Sequence, residues 1–433
     1  MKYENNWESL NSRPVPQWFS DVKFGIFIHW GIYSVPAFAR NGEYAEWYCD
    51  HMKDPERPVR AFHDRVYGAS TSYEDLVHHF KAELFDADHW ADVIRRSGAK
   101  YLNFVSKHHD GFCMYKSDYA WNWNSVDVGP HRDFCAELKA ALEPTGVKFG
   151  VYHSVYEWTN PLYLADPEKY ALEHFIPMMK ELVLRYEPWT LFTDGEWAHP
   201  SSVWHSTDFL TWLYNESPVR EFVVPNDRWG KETRGYLGGN FTTEYGEVHP
   251  GQHLGEVLDR PFEECRGIGK SFGFNRTENC EDYQSARELI ILLCSLVSKG
   301  GNLLLNIGPA ADGTIPAIME ERLLQIGRWL EVNGDAIYAS HPYAQSSVPG
   351  LYYTQKDDAI FAISEAYPWG ELALPELKWQ EGMRAELLGS STSIDTVEQN
   401  GFTVLKIPPI NPDTISAHEI YVFKIHKAKV QGP

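Results

Sequence analysis

Short apolar runs alternate with amphipathic segments over about the first 338 residues, and this alternation constrains the fold more than any other feature of the sequence. The runs are rich in β-branched and aromatic residues, a composition typical of strands that are buried on both faces. Eight such runs, mostly followed by helices, fit a parallel sheet closed into a (β/α)8 barrel better than an open sheet. The predicted strands cover residues 24–31, 101–110, 148–155, 190–197, 221–229, 240–246, 271–275 and 302–309.

The segments between these runs carry the apolar period of α-helices. The last of them ends on Gly334, a residue type that commonly terminates a helix. No GxGxxG motif opens any of these helices, so a dinucleotide-binding fold lacks its fingerprint. The predicted helices cover residues 87–98, 133–146, 169–188, 206–217, 285–300 and 317–334.

After residue 340 the pattern changes to short alternating stretches broken by Gly, Pro and Asn, with no helical period. This pattern predicts an all-β sandwich. We therefore expect an α/β chain with two domains. A (β/α)8-like catalytic barrel covers residues 1–340, and a C-terminal β-sandwich domain covers residues 341–433.

The charge balance excludes several classes of partner. Acidic residues outnumber basic ones by 60 to 39, a formal net charge of −21, and such a surface repels nucleic acids and anionic membranes. No stretch approaches the ~20 apolar residues that span a bilayer, and the N-terminal residues lack the apolar run of a signal peptide. We expect a cytoplasmic protein, or a secreted one if a signal has been removed. The six scattered cysteines form no CxxC pair, which favours reduced thiols over a zinc cluster or disulfide framework.

Aromatic residues are unusually abundant, with 16 Trp, 24 Tyr and 22 Phe. Aromatic rings beside Asp, Glu, His and Asn suit a site that stacks on the apolar face of a sugar and hydrogen-bonds its hydroxyls. A large aromatic core explains the same composition, and composition alone favours that explanation.

Polar residues cluster at the predicted C-terminal ends of the strands, the rim at which barrel enzymes keep their chemistry. One polar residue at a strand end is often a cap or a turn former. The same feature at several strand ends together indicates a functional rim. The residues are His29, His108, His109, Tyr152, His153, Asp194, Glu196, Asp227, Arg228 and Glu244.

Two of these carboxylates permit glycoside hydrolysis. Asp194 follows an apolar strand and precedes a glycine, so it is either exposed on the pocket floor or part of an Asx-turn or helix cap. Glu244 lies two strands further round the barrel, with Glu247 and Glu263 as nearby alternatives. A retaining glycosidase holds its two carboxyl groups ~5 to 5.5 Å apart, one as nucleophile and one as acid. Arg228 on the intervening strand would favour an ionised nucleophile.

The stretch VSKHHDGF at residues 105–112 allows three interpretations: a metal site, an acid/base relay or a hydrogen-bonding wall for a polar substrate. Adjacent histidines on a strand point to opposite faces unless the strand has ended, and zinc sites use HxH or HExxH spacing instead. The spacing therefore disfavours a metal site, and a relay is not required if Asp194 and Glu244 supply a nucleophile and an acid. Recognition remains, with Asp110 and Gly111 as a turn that lets His108 and His109 face one pocket.

With these residues in hand, the chain resembles the α-L-fucosidases of glycoside hydrolase family 29 over essentially its whole length. The matching motifs, in order, are FGIFIHWG, YAEWY, SKHHDGF, FGVYHS, LFTDG, NDRWG, TTEY, RGIGKSFGFNR and SKGGNLLLNIGPAADG. The resemblance implies a retaining exo-glycosidase that hydrolyses terminal α-L-fucosyl residues of fucosylated glycans by double displacement. It implies no metal and no cofactor, and it is compatible with a homo-oligomer.

The resemblance also implies residue roles. Asp194 matches the nucleophile, and Glu244 matches the acid/base, with Glu247 as the second choice. Fucose is a 6-deoxy sugar, so an aromatic wall would favour its methyl group, whereas a buried hydroxyl left unpaired there costs ~1 to 3 kcal/mol. The implied wall residues are Phe27, Tyr44 and Phe272. The implied partners of the sugar hydroxyls are His29, Glu46, Trp47, His108, His109, Tyr152 and Arg228.

Three alternatives remain at this point: a metal-dependent barrel hydrolase, a non-catalytic sugar-binding protein on a hydrolase scaffold, and a hydrolase of a related galactoside. The first predicts loss of activity on chelation. The second has no need of both Asp194 and Glu244. The third is separated by turnover of different 4-nitrophenyl glycosides.

Overall fold

The computed structural model describes residues 2–249, 252–253, 260–416 and 418–426. Two sheets form within them, one before residue 308 and one from residue 341. The strands of the first sheet are β1 Phe24–Ile28, β2 Tyr101–Lys107, β3 Lys148–Ser154, β4 Thr190–Asp194, β5 Val224–Pro225, β6 Phe241–Glu244, β7 Glu247–His249, β8 Gln252–His253, β9 Phe262–Gly267 and β10 Gly301–Ile307. The strands of the second sheet are β11 His341–Pro342, β12 Leu351–Lys356, β13 Ala359–Ser364, β14 Glu371–Lys378, β15 Arg384–Leu387, β16 Ser393–Gln399, β17 Phe402–Lys406 and β18 Tyr421–His426.

The first sheet has the order β5-β4-β3-β2-β1-β10-β9-β6, with parallel pairing throughout, and β7 and β8 extend it as an antiparallel hairpin. The two ends of the parallel run, β5 and β6, are joined where the Asn240 N–H donates to the Pro225 carbonyl at 3.1 Å. The predicted (β/α)8-like barrel is therefore confirmed.

Helices surround this sheet, and every predicted helix forms. Six of the described helices follow a residue whose side chain accepts a hydrogen bond from an N–H group of the first turn. These residues are Asn6, Asp86, Asp133, Asn160, Asp166 and Ser285. Residues 226–240, between β5 and β6, contain no helix. The helices are α1 Trp7–Asn11, α2 Gln17–Val22, α3 Tyr48–His51, α4 Pro58–Val66, α5 Ala87–Arg96, α6 Phe134–Leu142, α7 Pro161–Ala165, α8 Pro167–Tyr170, α9 Ile176–Tyr186, α10 Ser206–Asn215, α11 Ala286–Val297 and α12 Ala317–Asn333.

The barrel strands are buried on both faces, which explains their near-continuous apolar character. Successive side chains of β2 alternate between two cores: Tyr101 and Val105 lie in the barrel interior, whereas Leu102 and Phe104 pack toward the helices. The interior core is mostly aromatic. Much of the aromatic content of the sequence therefore serves the core, as composition alone suggests.

One predicted strand is wrong. Residues 271–275 (SFGFN) form an irregular segment, and the strand at this place in the barrel is β9, whose sequence is FEECRG. This strand was not predicted from the sequence, because two adjacent glutamates interrupt the apolar pattern that is typical of a buried strand. Both carboxylates are satisfied inside the protein: Glu263 accepts from the Tyr101 hydroxyl at 2.5 Å, and Glu264 accepts from the Thr243 hydroxyl at 2.5 Å.

The second sheet is antiparallel, with the order β11-β12-β13-β18-β15-β16-β17-β14, and its strands enclose a separate apolar core. This confirms the predicted C-terminal all-β sandwich, whereas the division at residues 340/341 stays a prediction. The opposite face of β13 and β18 joins the core of the barrel helices, where the Trp329 indole N–H donates to the Ile420 carbonyl at 3.2 Å. In the described part of the chain, no helix is long and apolar enough to cross a membrane.

Candidate active site

The C-terminal ends of the barrel strands surround a cavity of about 390 Å³. Every residue predicted to bind fucose or act in catalysis lines it except the alternative acids, Glu247 on β7 opposite Glu244 and Glu263 on β9. The predicted residues that line the cavity are Phe27, His29, Tyr44, Glu46, Trp47, His108, His109, Tyr152, Asp194, Arg228, Glu244 and Phe272. Of the other polar residues predicted at the rim, Glu196 lines the cavity, whereas His153 and Asp227 do not.

Asp194 ends β4 and carries the most heavily bonded carboxylate of the cavity. Its Oδ1 accepts from Arg228 Nη1 at 2.7 Å and from Arg234 Nη2 at 3.0 Å. Its Oδ2 accepts from the Tyr152 hydroxyl at 3.0 Å and lies 3.7 Å from His109 Nε2. The sequence left open whether Asp194 serves as a helix cap, and these contacts show a carboxylate turned into the cavity.

The charges around Asp194 determine its ionisation. Burial alone would raise the pKa of Asp194, but the two guanidinium groups of Arg228 and Arg234 outweigh burial and hold the pKa well below its usual range. Asp194 is therefore a carboxylate at any physiological pH.

Arg228 connects the two predicted catalytic carboxylates. Its Nη1 donates to Asp194, and its Nη2 lies 3.6 Å from Glu244 Oε2. Glu244 also accepts from the Tyr44 hydroxyl at 3.0 Å. The Glu244 side chain keeps 29% of its surface exposed, against 13% for Asp194, so it is the carboxyl group that water reaches more easily.

The two histidines of VSKHHDGF lie beyond the end of their strand. Strand β2 ends at Lys107, and the Gly111 N–H then donates to the His108 carbonyl at 3.1 Å in a turn whose Gly111 has φ +76°. Asp110 accepts from the Phe112 N–H at 3.1 Å and stabilises the turn. Because the strand has ended, both imidazoles line the same cavity, as the recognition interpretation requires.

Two of the imidazoles are neutral with a defined tautomer. Burial lowers the pKa of His29 to about 3 and that of His109 to about 4. His29 Nδ1 donates to the Asn306 side-chain oxygen at 2.6 Å. His109 Nδ1 donates to the Ser154 oxygen at 2.5 Å, because the Ser154 hydroxyl itself donates to a carbonyl. Each ring therefore keeps an unprotonated Nε2, which can accept a hydrogen bond from a hydroxyl group.

One side of the cavity is an aromatic wall. The Phe272 ring contacts Tyr44 at a centroid distance of 5.4 Å and Phe27 at 6.4 Å, both edge-on. Glu46 lies beside this wall and accepts from the Gly273 N–H at 2.8 Å. Burial raises the pKa of Glu46 to about 8, so it is mostly protonated at neutral pH and can donate a hydrogen bond.

Several lining residues were absent from the sequence-based site. Arg234 lies in the connection between β5 and β6, which has neither helical nor strand period, so the only available signal was its place after a strand end. Trp197 follows Asp194 by three positions and keeps 41% of its surface exposed on the cavity. The residues missed are Phe192, Trp197, Lys231, Arg234 and Cys265, whereas Glu196 was predicted at the rim but without a role.

Across residues 2–249, 252–253, 260–416 and 418–426, no three His, Cys, Asp or Glu side chains are grouped so that they could hold a metal ion. The six cysteines are unpaired, and all but Cys280 are buried.

Comparison with known proteins assigns the family. A family model described as α-L-fucosidase matches residues 1–335. The chain belongs to the α-L-fucosidase family. An α-L-fucosidase of Dictyostelium discoideum is 41% identical over 454 residues, which cover 98% of this chain and 95% of that protein. The tissue α-L-fucosidase of Homo sapiens is 38% identical over 441 residues, which cover 99% and 92%.

Solved structures agree with this α-L-fucosidase assignment. The Thermotoga maritima α-fucosidase in complex with a mechanism-based inhibitor matches with a TM-score of 0.86 and 33% identity, over 98% of this chain and 100% of that one. The family predicted from the sequence motifs is therefore confirmed.

In this member of the α-L-fucosidase family, a buried ion pair supports the histidine turn from behind. The Lys107 ammonium is fully buried and donates to Glu157, which also accepts from Asn160 Nδ2 at 2.6 Å. Burial would raise the pKa of Glu157, but Lys107 and His174 hold the pKa well below its usual range. The residue after Glu157 is tied to the turn, because the Trp158 N–H donates to the His109 carbonyl at 2.9 Å.

Replacing Lys107 by Met should lower the free energy of unfolding by ~3 to 5 kcal/mol, because it leaves the Glu157 carboxylate buried without its partner. Denaturant unfolding of the purified variant measures this loss. Lys116→Met is the matched control, since Lys116 pairs with Asp127 at the surface and should contribute ~1 kcal/mol or less. Equal losses in the two variants would contradict a supporting role for the buried pair.

Proposed function

We propose that this chain is a retaining α-L-fucosidase that releases terminal α-L-fucosyl residues from fucosylated glycans. One observation carries the proposal: Asp194 and Glu244 contact the two terminal nitrogens of the same Arg228 guanidinium. The cavity that holds them also offers partners for sugar hydroxyls and an aromatic wall. The family and its solved members support the same activity.

In the first step, an Asp194 carboxylate oxygen attacks the anomeric carbon while Glu244 donates its proton to the glycosidic oxygen. The bond between the anomeric carbon and that oxygen breaks, the leaving group departs as an alcohol, and a fucosyl ester of Asp194 forms. Arg228 and Arg234 keep Asp194 ionised for this attack. The 29% exposure of Glu244 is consistent with a group that meets the leaving group at the cavity mouth.

In the second step, the Glu244 carboxylate takes a proton from a water molecule, and the water oxygen attacks the anomeric carbon from the face that the leaving group vacated. The bond to Asp194 breaks, and fucose leaves with its original anomeric configuration. Glu244 is protonated again, so both carboxyl groups return to their starting states.

The remaining lining residues account for the choice of sugar. The unprotonated Nε2 atoms of His29 and His109 accept hydrogen bonds from sugar hydroxyls, and protonated Glu46 donates one. The wall formed by Phe27, Tyr44 and Phe272 receives the C5 methyl group. A sugar with a hydroxymethyl group would place an unpaired hydroxyl against these rings.

Assembly into a homo-oligomer, a cytoplasmic location and the lack of a nucleic-acid partner belong to the same proposal as expectations from the sequence. The acidic surface supports the last of them, because a net charge of −21 repels phosphate backbones.

Asp194→Ala should lower kcat/KM on 4-nitrophenyl α-L-fucoside about a thousandfold or more, because the attacking oxygen is lost. Sodium azide should restore turnover by occupying the vacated space, and the product should be the β-L-fucosyl azide. The product configuration is read by NMR, with wild-type enzyme plus azide as the control. Turnover close to wild type, or an α-azide product, would show that Asp194 is not the nucleophile.

Glu244→Ala should reduce hydrolysis of a fucosylated disaccharide about 10²- to 10⁴-fold, since the departing alcohol needs a proton. The loss on α-L-fucosyl fluoride should be much smaller, because fluoride leaves without general-acid help. Glu247→Ala is the matched control, as Glu247 pairs with Glu244 across the hairpin but does not line the cavity. A leaving-group-dependent loss in the Glu247 variant alone would transfer the acid role to Glu247.

The affinity for L-fucose should fall as pH rises through about 8, the pKa of Glu46. Bound sugar excludes water from the Glu46 carboxyl, which favours its neutral form further, so ionisation at high pH opposes binding. Calorimetric titration at pH 6 and pH 9 measures the change, expected to be about threefold to tenfold. Glu46→Gln, which cannot ionise, should remove the dependence. Wild-type affinity that increases with pH would contradict this role.

A further inference from the structure

The seam between β5 and β6 is the unusual part of this barrel. β5 consists of Val224–Pro225, and no strand pair joins it to β6, although all residues of both strands are described. Two backbone hydrogen bonds from residues 239 and 240 cross the seam at 3.1 Å. Side chains also connect the two sides of the seam, and the first of them is Asp227.

Asp227 is fully buried and does not line the cavity. Its Oδ1 accepts from the Thr242 hydroxyl at 2.6 Å, across the seam on β6. The Thr242 oxygen in turn accepts from Arg228 Nε at 3.0 Å. The carboxylate of Asp227 therefore fixes the direction of the Thr242 hydroxyl and, through it, the plane of the Arg228 guanidinium.

The second oxygen of Asp227 reaches the other arginine. Its Oδ2 accepts from the Gly235 N–H at 2.8 Å, and Gly235 directly follows Arg234 in the chain. Arg234 in turn donates from Nη2 to Asp194 and from Nε to Glu196 at 2.5 Å. Both guanidinium groups that contact Asp194 are thus connected to one buried carboxylate behind the cavity.

We infer that Asp227 is a positioning residue that holds Arg228, through the Thr242 hydroxyl, and Arg234, through the Gly235 N–H, against the carboxylate of Asp194. This inference rests on the proposed function, in which Asp194 must be ionised to attack. If Arg228 turns away, Asp194 loses the 2.7 Å contact and its pKa rises toward the value that burial favours.

Several titratable groups surround the carboxylates of Asp227 and Asp194. Asp227 faces Arg228, Arg234 and, through the barrel interior, Glu263. The groups that face Asp194 are His29, Tyr152, His109, Glu196, Arg228 and Arg234. Of these, only the two arginines make direct cationic contacts with Asp194, since burial keeps His109 neutral at neutral pH by lowering its pKa to about 4.

Strand β6 supplies a matched pair for the test. Thr242 and Thr243 are both buried, and each donates its hydroxyl to a buried carboxylate: Thr242 to Asp227 at 2.6 Å and Thr243 to Glu264 at 2.5 Å. Their side chains point to opposite faces of β6, so Thr243 lies outside the path to Arg228. Thr242→Val and Thr243→Val each replace a hydroxyl by a methyl group, so the two variants change the shape of the side chain equally.

The decisive readout is kcat on 4-nitrophenyl α-L-fucoside at neutral pH, measured apart from KM. Asp194 attacks the anomeric carbon only while Arg228 and Arg234 hold its carboxylate in place, so a displaced guanidinium lowers kcat/KM through kcat. Thr242→Val should lower kcat about tenfold and leave KM within about twofold. Thr243→Val should leave both constants close to wild type, and Thr242→Ser, which keeps the hydroxyl, should restore kcat. Asp227→Asn should resemble Thr242→Val.

A merely structural role would lower stability in both valine variants and change kcat equally or not at all, and that result would overturn the inference. The side-chain carboxyl ¹³C shift of Asp194, assigned from its loss in Asp194→Asn, reports the pKa of Asp194 without turnover. A raised pKa in Thr242→Val but not in Thr243→Val supports the inference, and equal pKa values overturn it. Wild-type protein that does not hydrolyse the fucoside would refute the proposed function instead, while the carboxyl titration still decides the inference.

Discussion

The contact between the Arg228 guanidinium and the Asp194 carboxylate, at 2.7 Å, is the interaction on which the rest of the site depends. A buried carboxylate without a partner takes up a proton instead of paying the cost of desolvation. Arg228 and Arg234 together prevent this, so Asp194 stays a nucleophile. The same Arg228 reaches Glu244, which fixes the second carboxyl group relative to the first.

Such a concentration of buried charge needs support from the surrounding strands. The cavity lies at the C-terminal ends of the parallel strands, and fully satisfied polar groups lie behind it on either side. On one side, the Lys107–Glu157 pair stabilises the turn that presents His108 and His109. On the other, Asp227 and Thr242 cross the seam where the strands themselves do not pair. The barrel strands thus position the side chains that line the cavity, and buried hydrogen bonds fix the orientation of these side chains.

The regular parts of this design could be predicted from the sequence. Strands such as FGIFIHWG and TLFTDGEW are apolar and end on polar residues, so both the barrel and the rim positions of His29 and Asp194 followed from pattern and spacing. The motif resemblance then added Glu46, Trp47, Tyr44 and Phe272, which lie outside the strands, and Phe27, which lies within β1. β9 escaped prediction because Glu263 and Glu264 are buried through hydrogen bonds to distant residues, which a local pattern does not reveal. Arg234 was not predicted as a site residue for a related reason, since its position depends on a loop whose path is set by tertiary contacts.

Trapping the covalent intermediate tests the central claim most directly, namely that Asp194 is the ionised group that attacks the sugar. 2-Deoxy-2-fluoro-L-fucosyl fluoride slows the second step more than the first, so the fucosyl ester should accumulate on the enzyme. Mass spectrometry of peptic fragments should then find the sugar on the peptide that contains Asp194, and Asp194→Asn should remain unlabelled. A label on Glu196 or Glu244, or wild-type enzyme that turns over the reagent without any label, would contradict the account.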